Sequence, residues 1–467
     1  MLSLELIDSG ITLARRHGEA GEVLLEAPGM ALLEDEATLT GQEATARVRL
    51  KPLLAHTNFW RGISTEPLTR PSRLVRTSAD IAYAQLDSIL RTYKAQEEGV
   101  LLAVPAGYSR EQLGLLLGVA QETAVPVLGL VDSALAACSL EPAPARVLHL
   151  ELELSQAMLT ILEYTGGERS GLKRSSYEIA LRHGLLAMQQ TLMQFIADHF
   201  VRRTRFDPLH EAHTEQRLVD QLPGWLKELE SNEHITLSMQ LGERLLEIEL
   251  DREAFISALE PHYLEVQRLV QGARVAGMPI ELRVSHRVAS MPGLLERLRS
   301  LRDCEVRVLA PGAAALGALQ YEAAIRRPPD SLALVYQLPI PRADGGGQTD
   351  ARIEATPAPL RPTHVLFQGR AWRITEEPLV IGWSVPEGRR SLLLPSAAPG
   401  VSRSHCTLVR TNGAVLIEDH STYGSYVNEE RVAGRTALTV GDRLRLGSPG
   451  VTLELIQTVH DDGAPQD

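Results

Sequence analysis

Cysteine is scarce in this chain. Among 467 residues only Cys138, Cys304 and Cys406 occur, odd in number, scattered, and never in a Cys-x-x-Cys spacing. That pattern fits a reducing compartment, excludes a thiolate zinc site, and leaves three small buried hydrophobes. Positive charge is short as well. Lys and Arg total 47 against 59 Asp and Glu, a formal net charge of -12. The mean field therefore repels phosphate backbones and anionic lipid, and nucleic acid is not an expected partner. Long apolar runs are missing too: the most apolar stretch, Leu113 to Val131, is broken by Gln121, Glu122 and Pro126 well short of a membrane span. The N-terminus meets Glu5 too early for a signal-peptide core, and Arg15 and Arg16 lie on the wrong side of the apolar run. A cytoplasmic protein without direct membrane insertion is expected.

What the chain does have is size. Its length exceeds what one hydrophobic core sustains, and an apolar content of 44% can build two or three. Pro339 to Thr363, with Gly345, Gly346, Gly347 and five prolines, reads as a linker that cannot bury enough apolar surface to order itself. Strand and helix patterns alternate before it; short β runs follow turn signals after it, as in a sandwich. The expected division is a first domain over 1–328, a flexible linker region over 329–363, a second domain over 364–460 and a disordered tail over 461–467.

In the first domain, Gly99 to Pro105 is a continuous apolar run suited to a strand covered on both faces. Ser109 and Gln112 have capping-box spacing, and Leu113, Leu116, Leu117 and Ala120 recur on one helical face behind them. Pro126 to Val131 predicts a second buried strand and Asp132 to Cys138 a second helix start, so parallel pairing and a layered α/β core are expected. Leu148, Leu150, Leu152 and Leu154 alternate with His149, Glu151 and Glu153 as in a half-buried strand. Glu178 to Arg203 carries Leu181, Leu185, Met188, Leu192, Phe195 and Ile196 at helical spacings, which predicts a core-facing helix. His199, His210 and His213 lack a fixed carboxylate or thiolate partner and read as solvated positions, so no metal is expected.

Five segments in order, Leu6 to Thr12, Thr40 to Thr45, Ala103 to Ala106, Asp132 to Ala137 and Ala310 to Ala318, together resemble the nucleotide-binding domain of DnaK-like heat-shock chaperones, members of the actin-like ATPase superfamily. Leu6-Ile7-Asp8-Ser9-Gly10-Ile11-Thr12 is similar to the first phosphate loop of that family, and Thr40 to Thr45 to its Val-Gly-Gln-x-Ala-Lys segment. Ala103-Val104-Pro105-Ala106, Asp132 to Ala137 and Ala310 to Ala318 match three later segments in the same order. The resemblance implies an ATP cleft between two lobes, in which Asp8 would orient Mg²⁺-bound water, Gly10 allow close approach and Thr12 donate a hydroxyl. On residue chemistry alone Asp8 and Thr12 read as a strand–turn–strand corner. Other cleft positions depart from the family. The glycine-rich second phosphate loop is Glu151 to Met158, with Glu153 expected where polyphosphate should lie. Thr45 stands at the catalytic lysine, and His286 and Arg287 replace the two glycines of the adenosine turn. The expectation is a pseudo-ATPase with no catalytic residue and no cofactor.

After the linker, Val401 to His405 and Asp419 to Asn428 resemble the two recognition turns of a forkhead-associated (FHA) domain, and Gly441 to Gly447 its closing strand. The resemblance implies a phosphothreonine site in which Ser402 hydrogen-bonds phosphate, Thr422 adds a hydroxyl and Arg403 attracts the charge. Gly382, His405, Gly424 and Asn428 would shape the turns, with Gly424 at φ > 0. Two departures stand out: Trp383 replaces the principal phosphate-binding arginine, and Tyr423 the peptide-binding asparagine. Arg389, Arg390 and Arg403 are candidate replacement cations, while Trp383 and Tyr423 suit an aromatic platform.

The whole is thus expected to be a two-lobed α/β actin-like ATPase fold followed by an all-β FHA sandwich. The favoured function is a bacterial non-catalytic signalling adaptor whose partner is a protein, phosphothreonine-containing or not. An active Mg-ATP-binding protein whose nucleotide state gates the FHA module, and an actin-like assembly protein, are the alternatives.

Overall fold

The computed structural model describes residues 1–343, except 19, 167–169, 276–277 and 329–330, and residues 362–456, except 368–369, 385–389, 395–399, 412–413, 429, 433, 439–441 and 448–449. Linker residues 344–361, Arg389, Gly441 and the expected tail 461–467 lie outside the described residues. Two compact units are present, Met1–Gly345 and Gly346–Asp467.

The first unit is built on two six-stranded sheets of matching design. In one, the fully buried strand Leu2–Glu5 pairs antiparallel with Ile11–His17 and parallel with Val100–Val104. Ala20–Ala27 extends the antiparallel side and Val127–Asp132 the parallel side. In the other, Arg146–Leu152 takes the central place, with Gln156–Thr165 and Gly171–Leu181 antiparallel on one side and Ile280–Val284 and Cys304–Val308 parallel on the other. Each sheet therefore contains a three-strand meander whose first strand pairs on its other edge with a parallel strand, which a second parallel strand follows.

Local sequence accounts for several of these elements. Val100–Val104 is buried throughout, as a continuous apolar run with both faces covered must be. The helix Arg110–Glu122 opens with the predicted reciprocal cap: the Ser109 hydroxyl accepts from the Gln112 amide at 3.1 Å and the Gln112 carbonyl oxygen from the Ser109 amide at 3.0 Å. Leu116, Val119 and Ala120 form its buried face. Asp132 caps the short helix Ser133–Ala137.

Elsewhere the structure departs from the sequence-based expectations. Arg146–Leu152 is not half-buried; His149 and Glu151 are as enclosed as its leucines, because the strand lies inside its sheet and both faces are covered. The helix expected from Glu178 begins only at Leu185. Glu178 to Leu181 end a strand, and Arg182, at φ 66°, and Gly184 turn the chain before the helical spacing takes hold. Cys138 and Cys406 are buried, whereas Cys304, on an edge strand, is only partly so.

Order continues past residue 328. Leu334–Val335 adds a parallel strand beside Val127–Asp132, and two residues later Gln337–Leu338 pairs antiparallel with Gly171–Leu181 in the other sheet. This strap crosses from one sheet to the other, seating Leu338 and Ile340 in the core. It passes so close to Gly171 that a Cβ there would lie 2.2 Å from the Leu338 carbonyl oxygen.

The second unit pairs a six-stranded with a five-stranded sheet. Val365, Ile381, Leu408, Ile417, Leu444 and Leu453 are among the side chains that fill its core. Among the described residues, no helix of the chain is long and apolar enough to cross a membrane.

Candidate functional site

The recognition turns of the second unit lie where strands end. Gly382 closes Leu379–Gly382, Val401 to His405 leads into Cys406–Thr411, and His420 to Gly424 connects Ala414–Asp419 to Ser425–Val427. The Ser402 hydroxyl oxygen accepts from the Thr422 amide at 3.2 Å, which ties the two turns tip to tip. His405 fixes the same junction from below. It is fully buried; its Nδ1 accepts from the Ser402 amide at 2.9 Å and its Nε2 donates to the Gly424 carbonyl oxygen at 3.1 Å. An imidazole that accepts at Nδ1 and donates at Nε2 must be neutral. Burial holds its pKa below the ordinary value, in keeping with that role.

Asp419, Ser421 and Ser425 complete the scaffold, a role the sequence did not disclose. One Asp419 oxygen accepts from the Ser421 hydroxyl and the Ser425 hydroxyl, both at 2.8 Å, while the Ser421 oxygen accepts from the Gly424 amide at 2.8 Å. Burial opposes ionisation of Asp419, but these hydroxyls hold its pKa below the usual value. Gly382 is required by close approach: a Cβ there would lie 1.9 Å from the Arg403 carbonyl oxygen. Gly424 has φ +84°. Asn428, at φ 50°, donates to Asp442 at 2.7 Å and accepts from the Arg443 amide at 3.0 Å, so it anchors the end of the turn region.

Trp383, Arg403, Thr422 and Tyr423 are exposed, Tyr423 at 59%. No ring contact joins Trp383 to Tyr423 among the described residues. The candidate cations separate clearly. Arg390 is turned to Thr375 and the Arg373 carbonyl, at 2.6 and 2.7 Å. Arg403 makes no side-chain hydrogen bond or ion pair among the described residues.

In the first unit, the nucleotide positions implied by the resemblance are filled by protein. Asp8 occupies the turn between the first two strands of one sheet, Glu153 the equivalent turn of the other. Their turns touch: the Leu154 amide donates to Asp8 Oδ1 at 2.8 Å. Glu153 accepts from Arg61 at 2.9 Å and Gln156 at 2.7 Å. Burial pushes both carboxyls above their usual range, and the charge of Asp8 adds to the effect on Glu153. A cavity of about 160 Å³ remains beside them, walled in part by Trp60, Tyr108 and Gln112. Thr12 is buried and gives its hydroxyl to the Gly10 carbonyl at 3.0 Å.

Arg287 is the centre of this region. Its Nη2 donates to the Gly10 carbonyl at 2.7 Å and to Glu26 at 2.9 Å, and its Nη1 to Glu151 at 3.2 Å, with Glu5 at 3.8 Å. A Cβ on Gly10 would lie 2.6 Å from Arg287 Nη2, so the close approach that Gly10 permits is used by a side chain. Burial pushes Glu5 up to about 7 although Arg287 opposes it. The other positions that the resemblance names have protein partners too. Thr45 bonds back to the Gly41 carbonyl, and Asp132 accepts from the Leu135 amide and pairs with Arg174 at 3.1 Å. A larger cavity of about 650 Å³ has Thr45, Leu154, Leu186 and Gln190 on its wall; Arg49, the cation among its described lining residues, is paired with Glu215 at 3.1 Å.

No curated protein matches the chain. The family model described as FHA domain matches residues 380–447, so the second unit carries an FHA domain, a β-sandwich module of phosphopeptide-mediated protein interaction.

Proposed function

We propose that this chain is a non-catalytic adaptor that captures a phosphothreonine-containing segment of a partner protein through its FHA domain. The observation that carries this reading is the contact between Ser402 and Thr422. The hydroxyl oxygen of Ser402 is used as an acceptor, which leaves its O–H to donate outward beside the exposed hydroxyl of Thr422. Two short donors held by a buried neutral histidine suit a tetrahedral anion.

The first unit is read as a DnaK-like, actin-like scaffold that has lost ATP hydrolysis. Two sheets of matching strand order support the two-lobed reading. The loss of activity is argued from Arg287, from the direct Asp8–Leu154 contact between the turns, and from a threonine at the lysine position. A transferring phosphoryl group would meet carboxylates with no unpaired cation among the described residues beside them to stabilise it.

Titration of the full chain with a degenerate phosphothreonine peptide library and its unphosphorylated copy tests the proposal. Preference for the phosphorylated library, lost in Ser402→Ala, is the expected result. Equal affinity for both libraries would sink the phosphate-reading function.

A further inference from the structure

The FHA turns lack the arginine that the family resemblance places where Trp383 stands, and Arg390 points elsewhere. Another cation is nevertheless present. Arg431 lies in the two-residue strand Glu430–Arg431, which pairs antiparallel with Ser425–Val427 and sets Arg431 opposite Tyr426. From there its side chain reaches the end of the Thr422–Gly424 turn: a Cβ built on Gly424 would lie 3.0 Å from Arg431 Nε. Arg431 is exposed, and among the described residues its guanidinium has no hydrogen bond or ion pair. Arg403, on the other turn, is also exposed and has no partner among the described residues. On a chain of net charge -12, two guanidiniums unpaired among the described residues thus belong to the joined turns, Arg403 next to Ser402 in sequence and Arg431 against Gly424.

We infer that Arg431 is the principal phosphate-binding cation of this site, with Arg403 as the second, so that the guanidinium absent at Trp383 is supplied from the far side of the turn. The inference rests on the phosphopeptide reading proposed above and names the residue that provides its charge. A guanidinium can engage two phosphate oxygens at once, which an ammonium cannot, so arginine and lysine are not equivalent at this position. Among the described residues no partner holds Arg431, and its neighbour Gly424 has no side chain to separate it from a ligand on the turn.

The test compares the full chain with Arg431→Ala, Arg431→Lys and Ser402→Ala, each titrated with the phosphothreonine library and with its unphosphorylated copy. Melting temperature should be unchanged in the Arg431 variants, because the side chain is exposed and unpaired. Arg431→Ala should lower the preference for the phosphorylated library by about tenfold, as expected for one charge-assisted hydrogen bond, with affinity for the unphosphorylated copy unchanged. Arg431→Lys should retain part of the preference. If Arg431→Ala keeps the full preference while Ser402→Ala loses it, the assignment of Arg431 is overturned and the phosphopeptide reading stands. If the unaltered chain shows no preference, both are overturned.

Discussion

Arg287 donates to the carbonyl oxygen of Gly10 at 2.7 Å, a direct bond between the positions that the resemblance would assign to the adenosine turn and the first phosphate loop. The guanidinium also serves Glu26 and Glu151, with Glu5 nearby, so one cation neutralises a group of acids contributed by both sheets. Removing it leaves Glu5 and Glu151 enclosed without their cation, while Glu26 keeps His286 at 3.0 Å.

Arg287→Ala should therefore destabilise the first unit by about 3–5 kcal/mol, the usual consequence of deleting one partner of a buried ion pair. Glu26→Gln should cost less than about 1 kcal/mol, since that side chain is about a third exposed and solvent screens its pair. Denaturant unfolding followed through the fluorescence of Trp60 and Trp225, both in this unit, measures the two changes.

Mg-ATP should not raise the melting temperature of the unaltered chain or of Arg287→Gly. Opening the space does not remove Glu5, Glu26 and Glu151, which repel a polyphosphate at short range. A saturable rise that disappears in Asp8→Ala would overturn the loss of ATP binding, and turnover by the purified chain would overturn the loss of hydrolysis.

Glu5 gives the first unit a pH dependence of defined sign. Its carboxyl is pushed from the ordinary 4.5 up to about 7 in the folded chain. Folding thus takes up a proton between those values, and the stabilisation is complete below the lower one and lost as pH rises through the upper. The stability of the unaltered chain relative to Glu5→Gln should fall between pH 5 and pH 8, by on the order of 2–3 kcal/mol. A difference that stays flat or rises over this interval contradicts the assignment.

His405→Ala should weaken the FHA domain although the ring does not face the ligand. It leaves the Ser402 amide without its acceptor and the Gly424 carbonyl with the Gly447 amide alone, at about 1–3 kcal/mol in all. Calorimetry on the full chain should show a destabilised second transition, accompanied by loss of phosphopeptide binding. Acid should act in the same direction: the folded pKa lies below that of the unfolded chain, so this contribution is present above about 6.5 and fades as pH falls.

The fold was legible where local rules and burial agree. The Ser109–Gln112 cap, the apolar run Val100–Val104 and the paired FHA turns each carry their instruction within a few residues. The reading failed where a pattern has two outcomes. Alternation from Leu148 to Leu154 looks the same whether the polar face meets water or Arg287, and helical spacing before Leu185 does not reveal that Arg182 and Gly184 turn the chain.

The amino-acid sequence by itself determined that two kinds of domain are present, that the second carries FHA-type turns, and that Thr45 and Glu151 to Met158 stand where the DnaK-like resemblance would place a lysine and glycines. Those conclusions depend on which residues stand at which spacing. Only the tertiary structure decided that Arg287 fills the space beside Gly10, that the strap Leu334–Leu338 spans both sheets, and that Arg431 lies against Gly424. Each of these joins residues whose proximity follows from strand register and sheet order, and linear spacing does not encode either.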